Sequence, residues 1–117
     1  MSRHVTVVLQ SGAQSGGATT ALRLAERLLA RGHRVTVFAA ESAVGLSAIE
    51  GELAEAVAAL LRRGLHGGTL DWVVDGAAAR RWGCERHQVP GVVPGDHADL
   101  WTFVRDADVV LAPGRGA

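Results

Sequence analysis

Cys84 is the only cysteine of this 117-residue chain, and it stands in RRWGCERH beside Arg80, Arg81, Arg86 and His87. A thiol attacks as thiolate, and neighbouring cations lower its pKa toward that state. One reading of the motif is therefore a nucleophile activated by Arg86, His87 and Arg81. The other is a small, partly buried hydrophobe, the ordinary state of a free cysteine. Asp75, nine residues earlier, reads as the N-cap of the helix that follows it, or as a general acid or base if its environment raises its pKa. His87 and the pair Asp96-His97 allow a Cys/His/Asp metal set to be drawn, but C-x-x-H without a second paired motif is not a zinc pattern. No metal is expected, and no cofactor.

A second candidate lies near the start. GAQSGGAT, from Gly12 to Thr19, has the glycine spacing of a phosphate loop but carries Ala18 where that loop needs lysine. Without the lysine it cannot reach β- and γ-phosphates in the usual way, which argues against a nucleotide hydrolase. The glycines either make a tight turn into the next helix or leave its N-H groups free for a small anion. Ser11, Gly12, Arg81 and His97 are the candidate ligand-binding residues.

Composition narrows the chemistry further. Twelve basic residues balance twelve acidic ones, and 48% of the chain is hydrophobic, so one ordinary core is expected with no general affinity for nucleic acid or anionic lipid. All the basic residues are arginine, and the chain lacks lysine, asparagine and tyrosine. Schiff-base chemistry and a Cys-His-Asn triad are thereby excluded within one chain. No apolar run approaches the roughly 18 residues that a membrane span needs, and the N-terminus reads as a strand rather than a signal peptide. With a single cysteine, a cytoplasmic location is expected.

These residues must be positioned by alternating elements. VTVVL (Val5 to Leu9), VTVF (Val35 to Phe38), LDWVV (Leu70 to Val74) and DVVL (Asp108 to Leu111) read as strands buried on both faces, with a short fifth around Val92 and Val93. Apolar spacing predicts a helix from about Gly17 to Arg31, stopped by Gly32. Ser47 and Glu50 predict a capping box for a second helix burying Ile49, Leu53, Val57, Leu60 and Leu61, with Arg62 and Arg63 at its negative end and Gly64 as its stop. A short helix through Trp82 ends at Gly83, and Asp96 caps another to about Arg105. His4, His33 and His66 fall at element ends, as surface residues would. Trp72 reads as core, while Trp82 and Trp101 are apolar surface for which an oligomer interface is one cover. Residues 1–117 thus read as a single α/β domain, flavodoxin-like in outline, with a largely parallel five-stranded sheet and helices on both faces.

Taken in order, the glycine loop after the first strand, ALRLAERLLARGHRVTVFAAESAV (Ala21 to Val44), AAARRWG (Ala77 to Gly83) and DADVVLAPG (Asp106 to Gly114) resemble the DsrE/DsrF-like family over nearly the whole chain. The resemblance implies a compact α/β fold and homo-oligomers, trimeric or hexameric. In the family's sulfur-relay branch it implies a cysteine persulfide received from a donor protein and passed to an acceptor protein. In that branch the cysteine opens the third helix, and Asp75 occupies this position here. Sulfur transfer would then have moved to Cys84; the alternative is a non-catalytic binding or scaffold subunit with a ligand pocket around Asp75, His87 and His97.

Overall fold

The computed structural model describes residues 3–12, 16–63 and 69–112. Strands and helices alternate as β1 (His4–Leu9), α1 (Gly16–Ala30), β2 (Arg34–Ala39), α2 (Ala54–Arg63), β3 (Leu70–Asp75), α3 (Gly76–Arg81), β4 (Val93–Gly95), α4 (His97–Asp106) and β5 (Val109–Leu111), with a 3₁₀ segment over Glu41–Ser47. All five strands are parallel, in the order β4-β3-β2-β1-β5. The expected α/β sheet is therefore present. Of the residues singled out above, Gly64 and His66, part of the loop after β1 and most of the final tail lie outside the described residues.

The strand order decides what covers each face. From β1 to β4 every crossover steps the same way, and crossovers of one hand place their helices on one side. On that side Val7, Leu9, Val35, Val37, Trp72 and Val74 meet Ala21, Ala25 and Leu29 of α1 and Val57 and Leu60 of α2 in the main core. Only the return from β4 to β5 crosses the other face. There Phe38, Ala40 and Val73 pack against Leu100 and Phe103 of α4, and the buried Thr6 hydroxyl donates to the Phe103 carbonyl at 3.0 Å. No residue of α4 is fully buried, and Trp101 is 70% exposed.

The connection from β2 to α2 departs from expectation. Ser47 and Glu50 form no capping box, since the chain turns through the 3₁₀ segment and α2 begins only at Ala54. Gly51 explains the turn, because a Cβ there would stand 2.7 Å from the Gly45 carbonyl oxygen. Ser47 is buried and its hydroxyl meets the Gln88 side chain, while Ile49, expected inward, is 56% exposed. The Ile49 and Val89 amides donate to the His87 and Ser47 carbonyls at 2.6 and 2.9 Å, so this stretch is stitched to the loop after α3. The capping box of this fold is at α4 instead. Asp96 accepts from the Asp99 amide at 3.0 Å and Asp99 accepts from the Asp96 amide at 2.9 Å, which holds the Asp96 carboxyl below the usual carboxylate range.

Two histidines are less free than their positions suggested. His4 is half-buried, with Nε2 2.8 Å from the Thr36 hydroxyl, and His33 Nδ1 accepts from the Arg3 amide at 3.1 Å. Trp72 is core, as expected, with 1% exposure.

Gly51→Ala is expected to cost about 1–3 kcal/mol, the usual range for forced overpacking. Urea unfolding checks it, through a lower midpoint at an unchanged slope.

Candidate functional site

The loops at the carboxyl ends of the strands come together as their positions require. The Ser42 hydroxyl donates to the Gln10 carbonyl at 3.5 Å, tying the loop after β2 to the loop after β1. A Cβ on Gly12 would lie 3.3 Å from the Ser42 carbonyl oxygen, so Gly12 adjoins that tie, and the neighbouring Ser11 is exposed. From α3, Arg81 Nη2 reaches both carboxylate oxygens of Glu41 at 3.4 Å. Glu41 has φ +51, the only positive φ outside glycine among the described residues. A side chain in the left-handed region costs about 1 kcal/mol or more. His97, exposed, opens α4 two residues beyond the end of β4.

Asp75 ends β3 at this same edge, paired across the ladder with Gly95. It alternates with Val74, so its side chain falls with Val73 on the α4 side of the sheet. Its backbone occupies the N-cap position of α3, with φ −65 and ψ 115, yet the carboxylate makes no capping hydrogen bond. Among the described residues it has no hydrogen-bond or ion-pair partner; the residue is 7% exposed, and its oxygens are not among the fully buried atoms left unpaired, so solvent reaches them. The expected cap is thus replaced by a carboxylate that is open to solvent at the edge of the sheet.

Cys84 stands at the opposite end of α3, about 9 Å of helix away at 1.5 Å per residue. Gly83 adopts φ +70. Its amide donates to the Arg80 carbonyl at 3.2 Å, and the Cys84 amide donates to the Ala79 carbonyl at 3.0 Å. This pair of bonds is the Schellman closure of a helix, in which the residue after the glycine turns inward. Cys84 is that residue, 9% exposed, with its thiol 3.8 Å from the Val44 carbonyl. Gln88 secures the loop, its Nε2 donating to the Val44 and Cys84 carbonyls at 3.1 Å each. Burial pushes the thiol up from its ordinary range, against weaker opposing pulls from hydrogen bonds to Gln88 and the backbone. The carboxyl end of a helix adds negative potential in the same direction.

Two of the arginines expected around the thiol are otherwise engaged. Arg80 pairs with Glu85 at 3.2 Å and Arg81 with Glu41. Arg86 and His87 are exposed, and no polar contact joins either side chain to the thiol. With Arg80, Gly83 and Glu85 they line an open hollow of about 220 Å³. His87 therefore lies at the Cys84 end of α3 and Asp75 at the other, and a hollow of about 350 Å³ runs along the helix from Val74 and Gly76 to Glu85 and Gln88. Among the described residues no three His, Cys, Asp or Glu side chains are grouped to hold a metal ion. Sequence reasoning missed Glu41 and Gln88. Glu41 stands two residues beyond the end of β2, a position that marks an edge residue; Gln88 carried no linear signal.

No protein-family model and no curated protein matches the chain. Among solved structures it is similar to the YchN protein from E. coli, with a TM-score of 0.81 at 18% identity over 96% of this chain and 99% of that one. It is also similar to the protein of unknown function MTH1491 from Methanobacterium thermoautotrophicum, with a TM-score of 0.73 at 16% identity over 97% and 100% of the two chains. At these identities the likeness is one of fold.

Alkylation of Cys84 by iodoacetamide should be slow at pH 7.5 in the native protein, rise only above the ordinary thiol pKa of about 8.5, and be fast in urea. Because the folded thiol titrates higher than the unfolded one, the stability tied to it is full below the unfolded pKa and is lost as pH rises through the folded pKa. Melting temperatures should show an alkaline decline that Cys84→Ala reduces; an identical decline in both proteins would contradict the assignment. The chain that this geometry builds shares its fold with YchN and MTH1491.

Proposed function

We propose that this protein is a non-catalytic binding subunit of the DsrE-like fold, taking its ligand without a covalent step at the carboxyl edge of the sheet around Asp75. The observation that carries the reading is the Asp75 carboxylate, which among the described residues has no hydrogen-bond or ion-pair partner and ends β3 at the edge where the loops converge. Such a group can accept hydrogen bonds from a donor outside the chain. Glu41 in its left-handed conformation and Arg81 belong to the same edge, as do Ser11, Gly12 and His97.

The competing reading makes Cys84 the acceptor of sulfane sulfur. It needs the thiol as thiolate and open to a donor protein, whereas Cys84 is 9% exposed and faces a carbonyl. We therefore place it second.

Assembly of copies into a trimer or hexamer forms part of the proposal. It is supported by apolar surface on and beside the thinly covered face, with Trp101 at 70% exposure, Val93 at 49% and Val110 at 43%. Light scattering on the purified protein should give a multiple of the 12.2 kDa chain mass, reduced by Trp101→Glu; a monomer at micromolar concentration would remove this part.

The deciding experiment is intact-protein mass spectrometry after incubation with polysulfide, run beside a fragment screen by ¹H–¹⁵N correlation spectra. The mass should show no reducible gain of sulfur, and binding fragments should perturb the amides of Ala40, Gly76 and Gly95. A stoichiometric gain that Cys84→Ser abolishes would overturn the binding reading in favour of the carrier.

A further inference from the structure

We infer that the hollow between α3 and β4 is a second binding site, separate from the Asp75 edge, and that its ligand is a free α-amino acid with an apolar side chain. The space follows from the sequence of α3. Gly76, Ala79 and Arg80 fall at i, i+3 and i+4, on one face of the helix, and this face lines the hollow. Two of the three carry almost no side chain, and β4 opposite them is only three residues long, so the wedge between helix and edge strand is left unfilled. Its volume of about 350 Å³ lies within the range of roughly 300–1,000 Å³ that small-molecule pockets occupy.

The walls and the mouth differ in chemistry. Val74, which alternates with Asp75 and so lies on the other face of the sheet, is buried beneath the hollow, with Ala79, Val92 and Pro94 around it. These surfaces suit an aliphatic side chain. Gln88 also stands in the wall, but its carboxamide is already used: Nε2 donates to the Val44 and Cys84 carbonyls, and Oε1 meets the Ser47 hydroxyl. Arg80 and Glu85 remain as the groups able to recognise a ligand. They are joined by a single contact, Nη1 to Oε2 at 3.2 Å, with side chains 64% and 44% exposed. Exposed pairs of this kind contribute little to stability, so a ligand can part them at small cost. No other polar contact among the described residues holds either side chain, which leaves the other guanidinium N-H groups and Glu85 Oε1 open to an incoming molecule.

Charge then selects the class. A ligand with one negative charge would bond to Arg80 and be repelled by Glu85, and one with a single positive charge would meet the reverse. A zwitterion satisfies both at once. Its carboxylate accepts from Arg80 and its ammonium donates to Glu85, each through a charge-assisted hydrogen bond, while the side chain on the same carbon enters the apolar hollow.

For the test, ¹⁵N-labelled protein is titrated with four probes. L-leucine carries both charges and the branched tail; glycine has the charges without the tail; isoamylamine and 4-methylpentanoate keep the tail with one charge each. Leucine should shift the Ala79, Arg80, Gln88 and Val92 amides saturably in the millimolar range and leave Ala40 unmoved. Glycine and both single-charge analogues should bind at least fivefold more weakly. Arg80→Gln and Glu85→Gln, at exposed side chains, should each weaken leucine at least fivefold while the rest of the spectrum stays in place. Absence of saturable leucine shifts, equal binding of glycine or of either single-charge analogue, or full leucine affinity in either variant overturns the inference. Leucine shifts centred on Ala40 and Gly95 would move the ligand to the Asp75 edge, overturning the assignment to this hollow and leaving the binding reading of that edge intact.

Discussion

The direction in which the chain lays down its strands controls the rest of this molecule. Three successive crossovers from β1 to β4 step the same way, so α1, α2 and α3 are stacked on one side and build nearly the whole core there. The opposite face receives a single helix, α4, on the way back to β5. This arrangement follows from the preferred hand of parallel crossovers. It makes the two faces chemically unequal: one is dry and dense with valine, leucine and alanine, and the other mixes Phe38 and Val73 with Thr6, Thr36, Asp71 and Asp75. The strand ends carry the recognition groups, since there a parallel sheet lets several loops converge.

Within that frame α3 separates two kinds of chemistry. It is only six residues long, yet it puts Asp75 at one end and Cys84 at the other. The glycine after it directs Cys84 inward, where the side chain completes a helix terminus, and Gln88 and Ser47 bind the loop shut over it. The soft nucleophile is thereby used as packing. The hard acceptor at the other end has no hydrogen-bond or ion-pair partner among the described residues. The thiol, by contrast, is buried against a carbonyl, which disfavours its thiolate.

Much of the fold was legible in the sequence, for reasons that are local. The β-branched runs at Val5 to Leu9 and Leu70 to Val74, the periodic face of α1, the stop at Gly83 and the cap at Asp96 are short-range signals, and each marks a real element. What failed depended on contacts between distant segments. Ser47 looks like a cap because glutamate follows three residues later, but its hydroxyl is claimed by Gln88, forty-one positions away. Asp75 holds the cap position and does not cap, which no spacing reveals. Of the arginines near Cys84 in sequence, Arg80 and Arg81 are paired with Glu85 and Glu41, the latter from a different loop, and Arg86 makes no polar contact with the thiol, so proximity along the chain overstated their effect. That the loops after the strands meet at the carboxyl edge follows from the parallel order; which side chains pair there does not.

The unequal covering of the sheet also has a dynamic side. A helix held by two half-buried side chains, one threonine hydroxyl and its own capping box can detach while the α1 side stays closed, because the opening free energy of a segment follows the contacts it must break. Amide exchange would then be fastest in α4 and β5 and slowest in β1 and β2. Each opening would bare Phe38 and Val73 together with the edge of β5, a three-residue strand whose outer backbone groups have no neighbour in the sheet. The same excursion would loosen Asp96 and Asp99 around Gly95, the ladder partner of Asp75, so the carboxyl edge of the sheet would be most open while α4 is lifted.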